Sequence, residues 1–349
     1  MKLTFVTDTL SSGGSERVMS VIANELSGDY DIEIICLRMH VTYYPLRPNV
    51  KVTFAEDVCG NSLFKKFIWL RKYVSKDSIV IAFMVPVYVF TLASLLFTSH
   101  RIIVSERNDP DAASMFRRLA RRLLLWRAQK IVVQTKSIAD RMPQYSSSKQ
   151  VIIYNPISEK YACGRGLETK KENLLISVGR LSPQKNQKMM IDGFSEFLAL
   201  YPDFRLEIYG EGEIHDELST YINKKSLEEK VLLMGSCNNL QDILPKAKLF
   251  VMTSDYEGMS NAMMEALYVG LPVVTTAVSG TEELIVNGEN GIVIPIGDRD
   301  AFTNAIINLA GDEKRLESMA KKAMKIKDKV QLSSIIPQWN SLINSLVTK

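Results

Sequence analysis

Residues 249–276, LFVMTSDYEGMSNAMMEALYVGLPVVTT, decide how this chain folds. The apolar run at 249–252 has the length of a buried strand, a glycine-containing loop follows it, and apolar residues at helical spacing come next. A strand, a loop and a helix in this order form one βα unit. The same order recurs at 2–26, 173–200, 204–225 and 230–247. Such alternation predicts parallel sheets, and two separate series predict two doubly wound domains.

The boundary between the two series falls where apolar periodicity lapses, across residues 154–173. We therefore expect one domain over 1–155 and a second over 156–333. The first carries 21 Lys and Arg against 13 Asp and Glu, a net charge of +8, whereas residues 156–349 carry 22 against 26, a net charge of −4. This difference indicates two domains that face different partners.

The composition is that of a soluble globular protein. The chain has 349 residues, of which 46% are hydrophobic and 23% are charged. Its opening, MKLTFVTDTLSSGG, lacks the long apolar region of a secretory signal, so we expect no export. No C-x-x-C pair occurs, which argues against a zinc site and a disulfide framework and favours the reducing cytoplasm. The four cysteines are Cys36, Cys59, Cys163 and Cys237.

Residues 79–98, IVIAFMVPVYVFTLASLLFT, carry no charge and meet the length test for a membrane span. Pro86 divides them into a β-rich run of strand length and a following helical run. We therefore expect a buried strand and helix of an α/β core here, and we reject the membrane span.

Two segments without acids carry the basic excess, 63–76 and 114–130. The second, SMFRRLARRLLLWRAQK, predicts a basic amphipathic helix. Its apolar stripe is Phe116, Leu119, Leu123 and Trp126, and the arginines off the stripe are Arg117, Arg118, Arg121 and Arg122. Two interpretations stay open: the stripe packs on the domain core with the arginines in water, or the helix docks on anionic lipid headgroups. No nucleic-acid recognition motif accompanies the charge, so we expect no nucleic acid partner.

Ligands of open α/β sheets bind beyond the carboxyl ends of the strands, so the loops there are the candidate sites. Gly13 and Gly14 follow the first strand and allow close backbone approach, or simply a tight turn. Arg180 and Lys185 follow the strand at 174–178 and suit a phosphate ester. Gly210 begins a G-x-G sequence without the third glycine of a dinucleotide fingerprint, which argues against a nicotinamide enzyme.

The loop and helix within the opening stretch suit a nucleotide sugar. Gly258, Met259 and Ser260 lead into a helix start, where free N–H groups and the helix dipole favour a phosphate. Glu257 and Glu265 flank that start, and carboxylates are good acceptors for paired hydroxyls. A nucleotide sugar presents ribose, diphosphate and sugar in that order, so the two glutamates fit its two polyol ends.

The segment EGMSNAMME resembles the E-x7-E signature of the retaining glycosyltransferases of family 4. The resemblance extends through ALYVGLPVVTTAVSGTEELIVNGENGIVIP and includes VGRLSPQKNQ, GGSERV and a terminal helix around IPQWNSLINSL, so it covers nearly the whole chain. It implies the GT-B fold, two Rossmann-like domains with a cleft between them. Helix 334–349 would complete the amino-terminal, acceptor-side domain, and 156–333 would bind the donor.

The resemblance also implies roles for individual residues. Glu265 would hold the ribose hydroxyls, Glu257 would face the donor sugar, and Arg180 and Lys185 would neutralise the diphosphate. The predicted catalytic residues are Glu257, Arg180 and Lys185, and the predicted substrate-binding residues are Gly13, Gly14, Arg107, Gly210, Gly258, Met259, Ser260 and Glu265. No cofactor and no metal are expected. The triplets Asp109-Pro110-Asp111 and Asp298-Arg299-Asp300 indicate a turn and a helix start.

Arg107 departs from the family's pattern. Relatives that act on lipid-linked saccharides often carry histidine after a Ser-Glu pair, where this chain has IIVSERNDP. Arginine keeps its charge and cannot serve as a base, so the residue that deprotonates the acceptor is not identified.

Similar enzymes assemble bacterial surface polysaccharides, such as O-antigen or capsule, on a polyprenyl diphosphate carrier. The resemblance therefore implies transfer of a hexose or N-acetylhexosamine from a UDP-sugar to a lipid-linked saccharide, with retention, by a cytoplasmic protein bound peripherally at the inner face of the cytoplasmic membrane. The basic helices suit an anionic membrane surface. Two alternatives stay open: a nucleotide-sugar epimerase of GT-B fold, and a saccharide-binding or scaffold protein without catalysis.

Overall fold

The computed structural model describes residues 1–11, 13–38, 42–112, 114–161 and 169–347. These residues form two compact units, the amino-terminal unit of 1–156 with 332–349 and the carboxy-terminal unit of 157–331. Cys163 lies outside the described residues.

The amino-terminal unit is built on a sheet whose described strands are all parallel and follow the order β3-β2-β1-β4-β5-β6-β7. The first six strands of this order match the doubly wound Rossmann arrangement. The strands are β1 (Lys2–Thr7), β2 (Asp31–Cys36), β3 (Val50–Phe54), β4 (Ile79–Phe83), β5 (Arg101–Ser105), β6 (Lys130–Val133) and β7 (Gln150–Ile152).

Helices cover this sheet, and the carboxy-terminal helix, Leu332–Asn344, returns to pack on it. Trp339 of that helix is fully buried, and its ring stacks on Phe83 with 6.4 Å between centroids. The other helices are α1 (Gly14–Leu26), α2 (Ala55–Cys59), α3 (Leu63–Tyr73), α4 (Val85–Ser94), α5 (Met115–Leu124) and α6 (Lys136–Arg141).

The uncharged segment 79–98 forms β4 and α4, with Pro86 in the first turn of the helix. Proline fits there because the first helical N–H groups have no intrahelical acceptor. The expectation of a core strand and helix is confirmed. Among the described residues, none of the helices is both long and apolar enough to span a bilayer.

The carboxy-terminal unit repeats the arrangement with a sheet whose described strands are parallel and ordered β10-β9-β8-β11-β12-β13. The strands are β8 (Leu174–Val178), β9 (Arg205–Tyr209), β10 (Val231–Gly235), β11 (Leu249–Met252), β12 (Val273–Thr276) and β13 (Gly291–Ile294). The helices are α7 (Gln187–Phe197), α8 (His215–Lys224), α9 (Leu240–Ile243), α10 (Asn261–Tyr268), α11 (Thr281–Leu284), α12 (Arg299–Ala310), α13 (Glu313–Ala323) and α14 (Lys327–Val330). The two parallel sheets predicted from the alternation are confirmed.

Helix α5 and the short turn after it correct one interpretation of the sequence. The apolar stripe does not pack on the core: Phe116 is 80% exposed, Leu119 55%, Leu123 63% and Trp126 51%. Arg121 points inward instead and is only 5% exposed. The physical reason is the carboxylate of Glu106, which is fully buried at the end of β5. It forms an ion pair with Arg121 at 3.4 Å. A buried charge requires a partner, so a basic residue of α5 turns inward.

Candidate functional site

The strand order of the carboxy-terminal unit reverses between β8 and β11, which lie side by side in the sheet. In doubly wound sheets this reversal leaves a crevice at the carboxyl ends of the strands, where ligands bind. The loop after β8 carries Arg180 and Lys185, and the loop after β11 carries Glu257. The fold therefore brings together the three residues predicted to be catalytic.

Hydrogen bonds join these two loops into one rigid element. The backbone N–H of Asp255 donates to the carbonyl of Gln184 at 2.9 Å. Thr253 Oγ1 donates to the carbonyls of Lys185 and Asn186 at 3.1 and 3.0 Å. Gln184 Nε2 donates to the carbonyl of Tyr256 at 2.7 Å. Side chains on loops tied at both ends are held in position before a ligand arrives.

Lys185 and Glu257 are in direct contact, the ammonium against Oε1 of the carboxylate. Ser254 Oγ also donates to that oxygen at 2.9 Å. The lysine crosses Gly179, because a Cβ on that glycine would lie 3.1 Å from Lys185 Cε and 3.3 Å from Nζ. The residue types at this point thus let the lysine lie flat against the backbone and meet the glutamate.

Arg180 is exposed beside this pair, and it makes no ion pair with any other residue that the structure describes. Its carbonyl accepts a hydrogen bond from Gln187 Nε2 at 2.9 Å, which fixes the backbone and leaves the guanidinium available. An unpaired guanidinium beside a lysine suits an anionic group with several oxygens.

Gly210 has a structural reason to be glycine. Its φ is +138°, and a Cβ there would lie 2.0 Å from the carbonyl oxygen of Gly179. Its N–H donates to the carbonyl of Gly235 at 2.8 Å. Gly210 therefore lets the β9 loop lie against the β8 loop.

The loop Gly258, Met259 and Ser260 is buried and leads into α10. Ser260 is the N-cap, and its hydroxyl accepts from the N–H of Met263 at 3.3 Å, so it serves the helix start. Glu265 lies within α10 and is 2% exposed, which confirms that it is no solvated surface glutamate.

In the amino-terminal unit, Gly13 is the N-cap of α1 and Gly14 is its first residue. A Cβ on Gly13 would lie 2.2 Å from Oε2 of Glu16, which also accepts from Ser15 Oγ at 2.7 Å. The glycine therefore admits a carboxylate of the chain itself to the helix start, an arrangement that we did not predict.

Arg107 follows β5 and is buried in the same unit. Its guanidinium lies over the ring of Phe83, with Cζ 4.3 Å from the centroid, and Nη1 donates to Oδ1 of Asn155. Nε and Nη2 are buried without a hydrogen-bond partner among the described residues. Burial lowers the pKa of Arg107 to about 9, and the neighbouring carboxylate of Glu106 partly opposes that shift. The side chain is therefore cationic at neutral pH and has two donors to offer.

Two further residues support this region and were missed from the sequence. Glu106 accepts from Tyr88 Oη at 2.7 Å and from the N–H of Arg107 at 3.2 Å, and burial raises its pKa. Met84, which follows β4 and is the N-cap of α4, has φ +72° and donates its N–H to the carbonyl of Ser105 at 3.1 Å. A positive φ at a non-glycine residue is strained and clusters at functional sites. The signal for Glu106 was present in the Ser-Glu pair, whereas nothing in the residue type marks Met84.

The two Asp triplets serve local structure. Asp298 caps α12 by accepting from the N–H of Ala301 at 2.8 Å, which confirms the predicted N-cap. Asp109 accepts from the N–H of Asp111 at 2.9 Å and pairs with Arg141 at 2.7 Å. Among the described residues, no group of three or more metal-ligating side chains is present.

Comparisons with known proteins agree with this architecture. Residues 165–326 match the family model of Glycosyl transferases group 1. A Campylobacter jejuni protein named GalNAc-alpha-(1->4)-GalNAc-alpha-(1->3)-diNAcBac-PP-undecaprenol alpha-1,4-N-acetyl-D-galactosaminyltransferase is 27% identical over 98% of both chains. The amylovoran biosynthesis glycosyltransferase AmsD of Erwinia amylovora is 26% identical over 98% of this chain and 99% of its own.

Solved structures show the same fold. TarM of S. aureus, solved with UDP, superposes with a TM-score of 0.84 at 16% identity, over 98% of this chain and 99% of its own. HepE of Anabaena, solved with UDP and glucose, superposes with a TM-score of 0.83 at 18% identity, over 99% of this chain and 100% of its own.

The fold and these relatives define a class: the chain has the GT-B fold and is similar over nearly its whole length to bacterial glycosyltransferases. More particularly, the part of the chain that matches a family model, residues 165–326, is similar to the glycosyl transferases group 1. The resemblance drawn from the sequence is confirmed at this level. The numbered family 4 and the roles of the two glutamates stay predictions.

Proposed function

We propose that this chain transfers a hexose or N-acetylhexosamine from a UDP-sugar to a saccharide carried on a polyprenyl diphosphate, with retention at the anomeric carbon, in bacterial surface polysaccharide synthesis. The observation that carries the proposal is the contact of Lys185 with Glu257 at the strand-order reversal, with Arg180 in the same loop as Lys185, in a region that matches the group 1 family model. The names of full-length relatives support the lipid-linked acceptor, since the Campylobacter jejuni enzyme acts on a PP-undecaprenol saccharide.

Charge development explains the cations at the site. When the bond between sugar and diphosphate breaks, the leaving group gains negative charge. Lys185 and the unpaired Arg180 then bind the transition state more strongly than the ground state, which accelerates the chemical step. In this proposal the two cations supply the stabilisation that a divalent metal would supply, so the reaction is independent of metal.

The carboxylates take the polyol ends of the donor. Glu257 faces the donor sugar, and its contact with Lys185 fixes its orientation. Glu265, buried in α10, accepts from the ribose hydroxyls. Gly258, Met259 and Ser260 bring the start of α10 to the phosphates, as helix N-termini do for anions.

The amino-terminal unit meets the acceptor and the membrane. Exposed apolar side chains occur on and around the neighbouring helices α3, α4 and α5 of this unit, and we call the following set the apolar face: Leu63, Phe64, Phe97, Phe116, Leu123 and Trp126. Lys65 and Lys72 are exposed on the same helix as Phe64. Apolar and aromatic side chains beside cations are typical of proteins that bind anionic membrane surfaces. We therefore place the protein peripherally on the cytoplasmic face of the membrane, where lipid-linked saccharides and UDP-sugars meet.

Thermal unfolding with nucleotides tests the donor site. A ligand at 100 times its dissociation constant stabilises a protein by about 2.7 kcal/mol, which shifts the melting temperature measurably. UDP or one UDP-sugar is expected to stabilise the native chain, and Arg180→Ala and Glu265→Gln are expected to weaken the shift. Arg315→Ala, which removes an exposed arginine of α13, serves as the matched control and is expected to leave the shift intact. The absence of a shift with every nucleotide would contradict the donor site.

A further inference from the structure

A groove of about 480 Å³ opens on the amino-terminal unit between α5 and the segment that follows α6. Four arginines line it together with apolar residues; the members that matter here are Arg118, Arg121, Arg122, Arg141, Met115 and Leu119. We call it the arginine groove. The arginine groove belongs to the amino-terminal unit, whereas Arg180, Lys185 and Glu257 belong to the carboxy-terminal unit.

Two of the four arginines are fixed by partners within the unit. Arg121 pairs with Glu106 and donates from Nη2 to the carbonyl of Pro110 at 3.3 Å. Arg141 pairs with Asp109 at 2.7 Å. These interactions hold the walls of the groove rigid, and they leave little charge for a ligand.

The other two, Arg118 and Arg122, are exposed and make no ion pair with any residue in the described part of the chain. They lie four residues apart on one helix, where like charges repel. Helix α5, MFRRLARRLL, contains no acid that could offset them. Tyr145 fixes the end of the helix by donating its hydroxyl to the carbonyl of Arg122. A folded protein that keeps two free guanidinium groups side by side on a rigid wall offers a site for an anion with several oxygens.

The same wall of the groove also carries apolar side chains. Met115, which is 78% exposed, and Leu119 lie on α5 beside Arg118 and Arg122 and line the groove, and Phe116 and Leu123 continue the apolar surface along the same helix. A ligand that contacts both the arginines and the apolar side chains has phosphate groups next to a hydrocarbon chain. Soluble nucleotides and inorganic phosphate lack the hydrocarbon and would leave the apolar side chains without a contact.

We propose that the arginine groove binds the diphosphate of the lipid carrier, with Arg118 and Arg122 donating to phosphate oxygens and the prenyl chain leaving across Met115 and Leu119. This inference rests on the proposed function, because it takes the acceptor to be a prenyl diphosphate. The groove then recognises the carrier independently of the saccharide that the carrier bears. Bulk anionic phospholipid shares the phosphate chemistry, and the experiment separates the two sources.

The test is the binding of farnesyl diphosphate to the full chain, measured by calorimetry with saturating UDP present so that a nucleotide site is already filled. Arg118→Ala combined with Arg122→Ala is expected to weaken binding roughly a hundredfold, about tenfold for each guanidinium that no longer donates to a phosphate oxygen. Arg117→Ala removes an exposed arginine of the same helix that does not line the groove, and it is expected to change the affinity by less than about twofold. Circular dichroism confirms that the variants fold.

Three outcomes would overturn the inference. Unchanged affinity in the double variant would show that the diphosphate binds elsewhere. An equal loss in Arg117→Ala would show a diffuse charge effect. Binding of phosphatidylglycerol vesicles that depends on Arg118 and Arg122, with no binding of farnesyl diphosphate, would assign the groove to bulk lipid. A failure of the proposed function is separate, since it would appear as absent sugar transfer with this binding intact.

Discussion

The charged guanidinium of Arg107 is buried in the amino-terminal unit. Its Nε and Nη2 have no hydrogen-bond partner among the described residues. Burial lowers its pKa to about 9, well below the ordinary value of a guanidinium. Between these two pH values the unfolded chain binds more protons than the folded one, so folding stability rises with pH there. At neutral pH the folded protein therefore bears the full cost of a buried, partly unsatisfied cation. Such a cost is expected where a ligand supplies the missing acceptors.

Replacing Arg107 by methionine tests this account. The variant is expected to have a higher melting temperature than the native chain. Its free energy of unfolding is expected to rise by about 1–3 kcal/mol, because an apolar side chain of similar length removes the buried charge. Its transferase activity is expected to fall. Urea unfolding and an activity assay measure the two effects.

Arg127→Met is the matched control. That guanidinium is also buried, but it donates to the carbonyls of Thr98 and His100 at 2.9 and 2.8 Å. Its loss should destabilise the fold by roughly 2–4 kcal/mol, because the buried carbonyls lose their donor. A destabilised Arg107→Met with full activity would show that Arg107 serves the fold alone.

Single residues also show the limit of what the sequence can predict. Lys185 and Glu257 were predicted as site residues with separate roles, one for the diphosphate and one for the sugar. The structure adds their direct contact across 72 residues of chain. That contact depends on β8 and β11 being neighbours, which is set by the order of the strands and not by either residue's surroundings in sequence.

At the scale of elements, α5 was predicted as a basic amphipathic helix, because the spacing of its apolar residues is helical. Which face turns inward depended on a residue outside the helix. Glu106 is buried at the end of β5 and draws Arg121 inward, so the stripe of Phe116 and Leu123 faces outward. Periodicity reveals that a helix has two faces, whereas a buried partner decides their orientation.

The exposed stripe predicts membrane binding that depends on apolar side chains as well as on charge. Phe116→Ser combined with Leu123→Ser should reduce flotation with phosphatidylglycerol liposomes at least tenfold, since two large side chains lose about 1.5–3 kcal/mol each of burial in the interface. Both residues are exposed, so the melting temperature should stay nearly unchanged.

The control changes two exposed apolar residues of the carboxy-terminal unit, Leu200→Ser with Val286→Ser, which are 63% and 57% exposed. This variant should float like the native chain. If the native chain stays entirely in the soluble fraction at low salt, or if both double variants lose flotation equally, the apolar face does not bind the membrane.

At the scale of the whole molecule, the alternation of strands and helices was sufficient to predict two parallel sheets. It was not sufficient for the strand order, because both β1 and β8 lie in the middle of their sheets although each comes first in its unit. In the carboxy-terminal unit, that central position creates the reversal at which Lys185 and Glu257 meet.

The central claim is sugar transfer to a lipid-linked acceptor, and one measurement addresses it directly. The protein is incubated with polyprenyl-diphosphate-linked saccharides from bacterial membranes and a panel of UDP-sugars, in the presence of EDTA, and the lipid fraction is analysed by mass spectrometry. We expect one UDP-sugar to be consumed only when the lipid is present, the lipid to gain one hexose or N-acetylhexosamine, and Glu257→Gln to slow the reaction by roughly 10²-fold or more. Interconversion of a UDP-sugar without lipid would instead indicate an epimerase, and no consumption of any donor would contradict the account.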